Sequence, residues 1–265
     1  MLMRYDVNLS ILFTELPLLE RPAAARAAGF DAVEFWWPFA VAQPDEREVA
    51  EFVGAITGAG VRLVGLNFFA GDLPGGDRGL VSWPGREGEF KASVDIAIGI
   101  ARETGCRAFN ALYGNRIEGV DPAEQDAVAL RNLAFAADAA AAIDATVLLE
   151  PVSAIPTYPL LTAADALAVA DRLGKPNVAL LADLYHLAVN GDDLDAVIAE
   201  HTGRIGHVQI ADAPGRGEPG SGELELERFL AQLEANGYQG FVGAEYKSTG
   251  PSAASFGWLT REEDQ

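Results

Sequence analysis

Residues 178–183 read Val178-Ala-Leu-Leu-Ala-Asp183, a short apolar run that ends on a carboxylate. Two other stretches have the same form, Ala145-Thr-Val-Leu-Leu-Glu150 and Phe241-Val-Gly-Ala-Glu245, and a fourth, Gly206-His-Val-Gln209, ends on an amide. Runs of this length and composition are strand-like. A charge beside an apolar core is costly unless it is paired or ligated. Four oxygen donors on the tips of four parallel strands converge if those strands close into a barrel, and there they can share one cation.

Working outward, strand runs alternate with helical stretches from end to end. The pattern predicts strands at 5–9, 31–35, 61–67, 107–112, 145–150, 178–183, 204–210 and 241–246. Helices are expected at 17–28, 45–59, 88–104, 121–143, 162–173, 192–200 and 225–236, with a last short one near 252–262. Thr162 and Asp121-Pro122 read as helix starts, and Gly29, Gly60, Gly105, Gly174 and Gly237 as stops. Eight such alternations fit a (β/α)8 TIM barrel. No linker or composition shift divides the chain, so residues 1–265 are expected to form a single domain. A doubly wound sheet would carry a glycine-rich first turn, whereas Asn8-Leu-Ser-Ile-Leu-Phe13 has no glycine.

Composition narrows the function. The net charge of -20 argues against a nucleic-acid partner and against anionic membrane surfaces. The single Cys106 has no internal disulfide partner and reads as a small buried hydrophobe. With no signal-peptide pattern and no run of 18 apolar residues, the expected location is cytoplasmic.

Counting by twos along each strand aims Glu150, Asp183, Gln209 and Glu245 into the barrel mouth in one register. Three carboxylates and an amide oxygen are hard donors, which favour Mg²⁺ or Mn²⁺ over zinc. His186, three residues past Asp183, is expected on a loop as a donor to a substrate oxygen. His207 lies one layer deeper than Gln209, and His201 falls near a helix C-terminus. An anionic substrate needs a compensating cation, and Arg216 and Lys247 are the candidates. The alternative for Arg216 is a loop salt bridge to Glu218 or Asp212. Asn8, Glu34 and Asn67 stand at other strand tips, as do Asn110 and Tyr113, and are of the type that orients hydroxylated ligands. Trp36, Trp37 and Trp258 suit either a pocket wall or an interface between copies. The long irregular piece at 68–88 reads as a lid or pocket wall.

Several stretches together carry a family likeness: Val7-Asn8-Leu-Ser, Gly29-Phe-Asp-Ala-Val-Glu34-Phe, Ala70-Gly-Asp72, Leu149-Glu-Pro151, Asp183-Leu-Tyr-His186, Gly206-His-Val-Gln209-Ile-Ala-Asp212, Gly215-Arg-Gly-Glu-Pro-Gly220 and Glu245-Tyr-Lys247. On these the chain resembles the hydroxypyruvate isomerase family, within the larger group of xylose-isomerase-like barrels, over nearly its full length. The resemblance implies that Glu150, Asp183, Gln209 and Glu245 ligate the metal. It also implies that Glu150 and Glu245 form the proton-transfer pair, while His186 and Arg216 hold substrate oxygens. Ketose 3-epimerases of the group usually carry histidine in place of Gln209, so the glutamine leans towards hydroxypyruvate or 2-oxo-tetronate isomerisation. Many relatives carry His-Asn at the third strand tip. This chain has Leu66-Asn67, and a hydrogen-bonding group towards the substrate is expected to be lost there.

The expected reaction is an aldose–ketose type isomerisation by enediolate proton transfer on a small-molecule substrate, in a possible homo-oligomer. A ketose 3-epimerase or a cyclitol or sugar-acid dehydratase would use the same metal and acids. A metal-dependent nuclease would want more histidines and a basic surface, and a non-catalytic sugar-binding protein would not need both glutamates.

Overall fold

The computed structural model describes residues 3–259. Eight strands, β1 (Arg4–Asn8), β2 (Ala32–Phe35), β3 (Arg62–Asn67), β4 (Ala108–Asn110), β5 (Thr146–Leu149), β6 (Val178–Asp183), β7 (Ile205–Ile210) and β8 (Phe241–Ala244), pair in sequence order. Every pairing is parallel, and β8 returns to β1 through Val7↔Ala244, closing the barrel. The (β/α)8 architecture is the one the alternation implies.

The helices on the outside are α1 (Arg21–Ala27), α2 (Glu46–Ala59), α3 (Glu87–Thr104), α4 (Pro122–Ala141), α5 (Ala163–Leu173), α6 (Leu184–Val189), α7 (Leu194–His201) and α8 (Leu226–Ala235). Their ends follow local chemistry. At α5 the Thr162 hydroxyl accepts from the Asp165 amide while the Asp165 carboxylate accepts from the Thr162 amide, and Gly174 (φ 67°) ends the helix. The apolar strand residues that alternate with the inward set, among them Val33, Leu66, Phe109, Val147, Leu180, Val208 and Val242, are fully buried in the core shared with the helices. Cys106 is part of that core, and burial pushes its thiol up to about 12, so it behaves as a hydrophobe.

Three local expectations are corrected. The stretch after β6 is a helix, α6, where a loop was expected. At six residues it is too short to show periodicity, and Asp183 caps it. The expected helix near 252–262 is a 3₁₀ turn at Ser252–Ala254, with residues 260–262 lying outside the described residues. The first helix begins at Arg21, behind a 3₁₀ turn over Leu18–Glu20, where it was expected from 17. No helix among the described residues is long and apolar enough to cross a membrane.

Candidate active site

The inward residues follow the period-2 register. Asp183 pairs with Gln209, and Leu181 with His207, across β6 and β7. Glu150 and Glu245 stand one residue past β5 and β8. A cavity of about 400 Å³ opens at these tips, and Glu150, His186, Arg216, Glu245 and Asn67 line it together with Trp36. Asp183 and Gln209 are buried just behind the lining.

Each polar side chain is held by a neighbour. Asn110 Nδ2 donates to Glu150 Oε2 at 2.5 Å. Glu150 Oε1 faces His186 Nε2 at 4.0 Å. Asp183 uses one oxygen to cap α6, where Oδ1 accepts from the amides of Tyr185 (2.9 Å) and His186 (3.2 Å). Its other oxygen, Oδ2, lies 3.6 Å from His186 Nε2 and 3.5 Å from Arg216 Nη2. Arg216 also pairs with Glu245 Oε1, while Glu245 Oε2 accepts from Asn8 Nδ2 (2.8 Å) and Gln209 Nε2 (2.5 Å). The arginine thus sits among site carboxylates, and neither Glu218 nor Asp212 is its partner. Its backbone adopts a left-handed φ of 59°, a strained conformation for arginine, as is common where a side chain is aimed at a site.

The tautomer of His186 follows from its partners. The Ser153 amide, which can only donate, points at Nδ1 at 3.1 Å, and the Ser153 hydroxyl lies 2.7 Å from the same atom. Nδ1 is therefore the acceptor, and the proton sits on Nε2, facing the carboxylates and the cavity. Burial also lowers the pKa of the imidazole, which keeps it neutral.

Burial, reinforced by the Asp183 charge, pushes Glu150 up to about 8. Glu245 is likewise raised well above the carboxylate range by burial, against the opposing pull of Arg216. Among the described residues, Glu150, Asp183 and His186 form one of two groups of side chains close enough to share a metal ion.

Asn8 and Glu34 back the site and do not line the cavity, and Lys247 is exposed and does not reach it. Glu34 lies inside the barrel, accepting from Asn8 (3.1 Å), from Gln209 (2.7 Å) and at 2.7 Å from His207 Nε2. Glycine is required beside it. A Cβ on Gly65 would stand 3.0 Å from its Oε2, and one on Gly243 2.7 Å from its Oε1. Gly65 and Asn67 face inward, so Leu66 faces the helices and packs in the core. Position 66 does not line the cavity.

Residues 68–86 form a wall of the cavity through Leu73, Pro74 and Arg78. Asn110 had only been noted as a strand-tip residue, and Ser153 and Arg78 were missed. Their signals are weak: one asparagine on a short strand, one serine after Glu150-Pro151, and one arginine in a glycine-rich loop. Of the tryptophans, Trp36 faces the cavity, Trp37 stacks edge-on with Phe39 (5.3 Å), and Trp258 with Tyr5 (5.3 Å).

A family model described as xylose isomerase-like TIM barrel matches residues 22–262. A Streptomyces coelicolor protein named "Putative hydroxypyruvate isomerase" is 57% identical, the match covering 97% of this chain and 95% of that protein. The chain belongs to the hydroxypyruvate isomerase family of xylose isomerase-like barrels. This isomerase is also 35% identical to a 2-oxo-tetronate isomerase of Cupriavidus necator, over 97% of each chain. A solved structure from Brucella melitensis, described as an AP endonuclease of family 2, superposes with a TM-score of 0.90 at 35% identity, over 98% of each chain.

The buried pair behind the site of this isomerase carries a pH signature. Burial opposes the charged form of His207, but the charge and hydrogen bond of Glu34 outweigh it and push the imidazole up to about 9. A folded-state pKa above the ordinary 6.5 stabilises the fold at pH values below 6.5. That contribution is lost as pH rises through about 9. Urea unfolding from pH 6.5 to 10 should therefore show falling stability, with a smaller fall in His207→Gln. Equal slopes in the two proteins would show that the pair contributes nothing.

Proposed function

We propose that this isomerase interconverts hydroxypyruvate and tartronate semialdehyde, or a closely related 2-oxo acid sugar such as 2-oxo-tetronate. A divalent ion, Mg²⁺ or Mn²⁺, would be held by Glu150, Asp183, Gln209 and Glu245. The observation that carries the reading is the pairing of buried Asp183 and Glu245 with one guanidinium, Glu150 gathered with Asp183 and His186, and a buried Gln209 Oε1 with no hydrogen-bond partner.

The donor set fits a hard cation. Gln209 turns its nitrogen to Glu34 and Glu245, so its oxygen is left over. A buried acceptor without a partner is costly, which a cation would relieve. Carboxylate and amide oxygens are what Mg²⁺ and Mn²⁺ favour. His186 stands apart from the set because its Nε2 holds a proton. When bound, the ion would polarise the substrate carbonyl and offset the negative charge that builds on oxygen.

The chain's own groups do the rest. β5 and β8 are three strands apart in the closed ring of eight, so Glu150 and Glu245 approach a substrate from different directions. Burial raises Glu150, to about 8 with no ion bound, and so strengthens it as a base, while a bound ion would draw it back down. One glutamate takes a proton from the CH₂OH carbon. A proton then returns to the former carbonyl carbon, while the hydroxyl proton of the former CH₂OH carbon passes to the former carbonyl oxygen, giving an isomer of the same formula. Asn110 fixes Glu150 through Oε2, leaving Oε1 turned towards the cavity side. The Nε2–H of His186 donates to a substrate oxygen.

The acidic surface opposes the endonuclease activity described for the Brucella structure. The test is hydroxypyruvate in deuterated buffer, followed by proton NMR. With Mg²⁺ or Mn²⁺ the CH₂OH protons should be replaced by deuterium and tartronate semialdehyde should form. Both should stop after chelation. Metal-independent turnover would reject the ion. Exchange into ketohexoses but not into hydroxypyruvate or 2-oxo-tetronate would make the protein a 3-epimerase.

A further inference from the structure

We infer that Arg78 is the residue that recognises the substrate's carboxylate, and hence that this site selects a short hydroxy-oxo acid over a neutral ketose. The inference rests on the isomerase reading above and assigns the end of the substrate that the reading leaves unassigned.

Three cations were open to this task, and the geometry separates them. Arg216 is committed to Glu245 and Asp183 at the reacting end. Lys247 is exposed and does not line the cavity. Arg78 lines it from the 68–86 wall and is half-buried. Its Nη1 donates to two main-chain carbonyls, Leu73 O at 2.9 Å and Asp77 O at 2.6 Å. Carbonyls fix the head of the side chain without cancelling its charge. Among the described residues no carboxylate lies within ion-pair distance of Arg78, and Nε and Nη2 make no hydrogen bond. The neighbouring Asp77 pairs with Arg86 and not with Arg78: its Oδ2 accepts from Arg86 Nη1 and from the Asp72 amide, each at 2.8 Å.

The result is a pre-oriented guanidinium with free donors in a cavity that Glu150 and Glu245 also line. Trp36, Leu73 and Leu112 share the lining with it. Apolar walls exclude water and strengthen a charge pair formed between them. Two adjacent N–H groups match a carboxylate in bidentate fashion. A neutral ketose offers hydroxyls instead, and would leave the guanidinium without its counter-charge.

The test uses the metal-loaded protein and two substrates of one size, hydroxypyruvate and dihydroxyacetone, in which CH₂OH replaces the carboxylate. Wild type should favour hydroxypyruvate. Arg78→Met should raise its KM roughly 10- to 100-fold, the range for losing hydrogen bonds to a charged group. Exchange of dihydroxyacetone should stay unchanged, and Arg78→Lys should restore part of the loss. Equal losses on both substrates would make Arg78 structural, and no loss would return the carboxylate to Arg216. Calorimetry with tartronate reads binding without turnover. Weaker binding to Arg78→Met supports the assignment even if neither substrate is turned over, an outcome that rejects the isomerase reading alone. Equal tartronate affinity for the two proteins overturns it.

Discussion

Glu150→Gln is expected to lose isomerase turnover by roughly 10²- to 10⁴-fold, the range general acid–base groups supply. The substitution is nearly isosteric. The glutamine oxygen can still accept the Asn110 amide that now bonds Oε2, so the fold should survive. What disappears is a carboxyl that burial and the Asp183 charge hold at about 8. An amide cannot take up a proton at any working pH. Replacing a buried acid with an amide of the same shape also removes a group that is costly to ionise in a crowded acidic site, so thermal stability should hold or rise. Circular dichroism and a melting curve check the fold, and deuterium exchange into hydroxypyruvate checks the chemistry. Full exchange in the variant would remove Glu150 from the reaction.

Asp183 separates two roles within one side chain. Oδ1 caps α6, and Oδ2 faces His186 and Arg216. Asparagine is as good a cap as aspartate, whereas alanine is not. Asp183→Asn should keep the helix start and most of the stability while activity falls by about 10²-fold or more, on the scale of a lost transition-state contact. Asp183→Ala should lose the same activity and about 1 kcal/mol of stability besides. Denaturant unfolding of both variants, alongside their turnover, reads the two effects apart. Wild-type activity in Asp183→Asn would show that the charge of this residue has no part in the site.

The barrel was legible because its strands are short apolar runs with acids at one end, and because the helix stops are glycines. Those two patterns need no tertiary information. The inward register followed from counting, since a period of two leaves no freedom once one tip is fixed. Depth was not legible. Glu34 looked like a residue of the mouth, yet the space made by Gly65 and Gly243 draws it inside to His207. Only the closed ring puts those four strands in reach of one another. The same counting, applied to Leu66, gives the outward direction that the structure shows. Arg216 is legible as a cation of the site, with a loop salt bridge as the alternative, but its carboxylate partners are not. They lie on the tips of β6 and β8, brought close by the chain's closure. Arg78 escaped because nothing in a glycine-rich loop says which of its side chains turns inward.

The Glu34–His207 pair has a consequence for how this scaffold changes its substrate. It acts as a plug, packed against bare backbone and hydrogen-bonded to two of the residues above it. Enlarging the chamber downward would strand a buried charge, so the floor is fixed. Longer or bulkier molecules have to be accommodated at the rim, by changing the wall at 68–86. Directed evolution of substrate length should therefore collect its successful substitutions in that wall and leave the floor untouched.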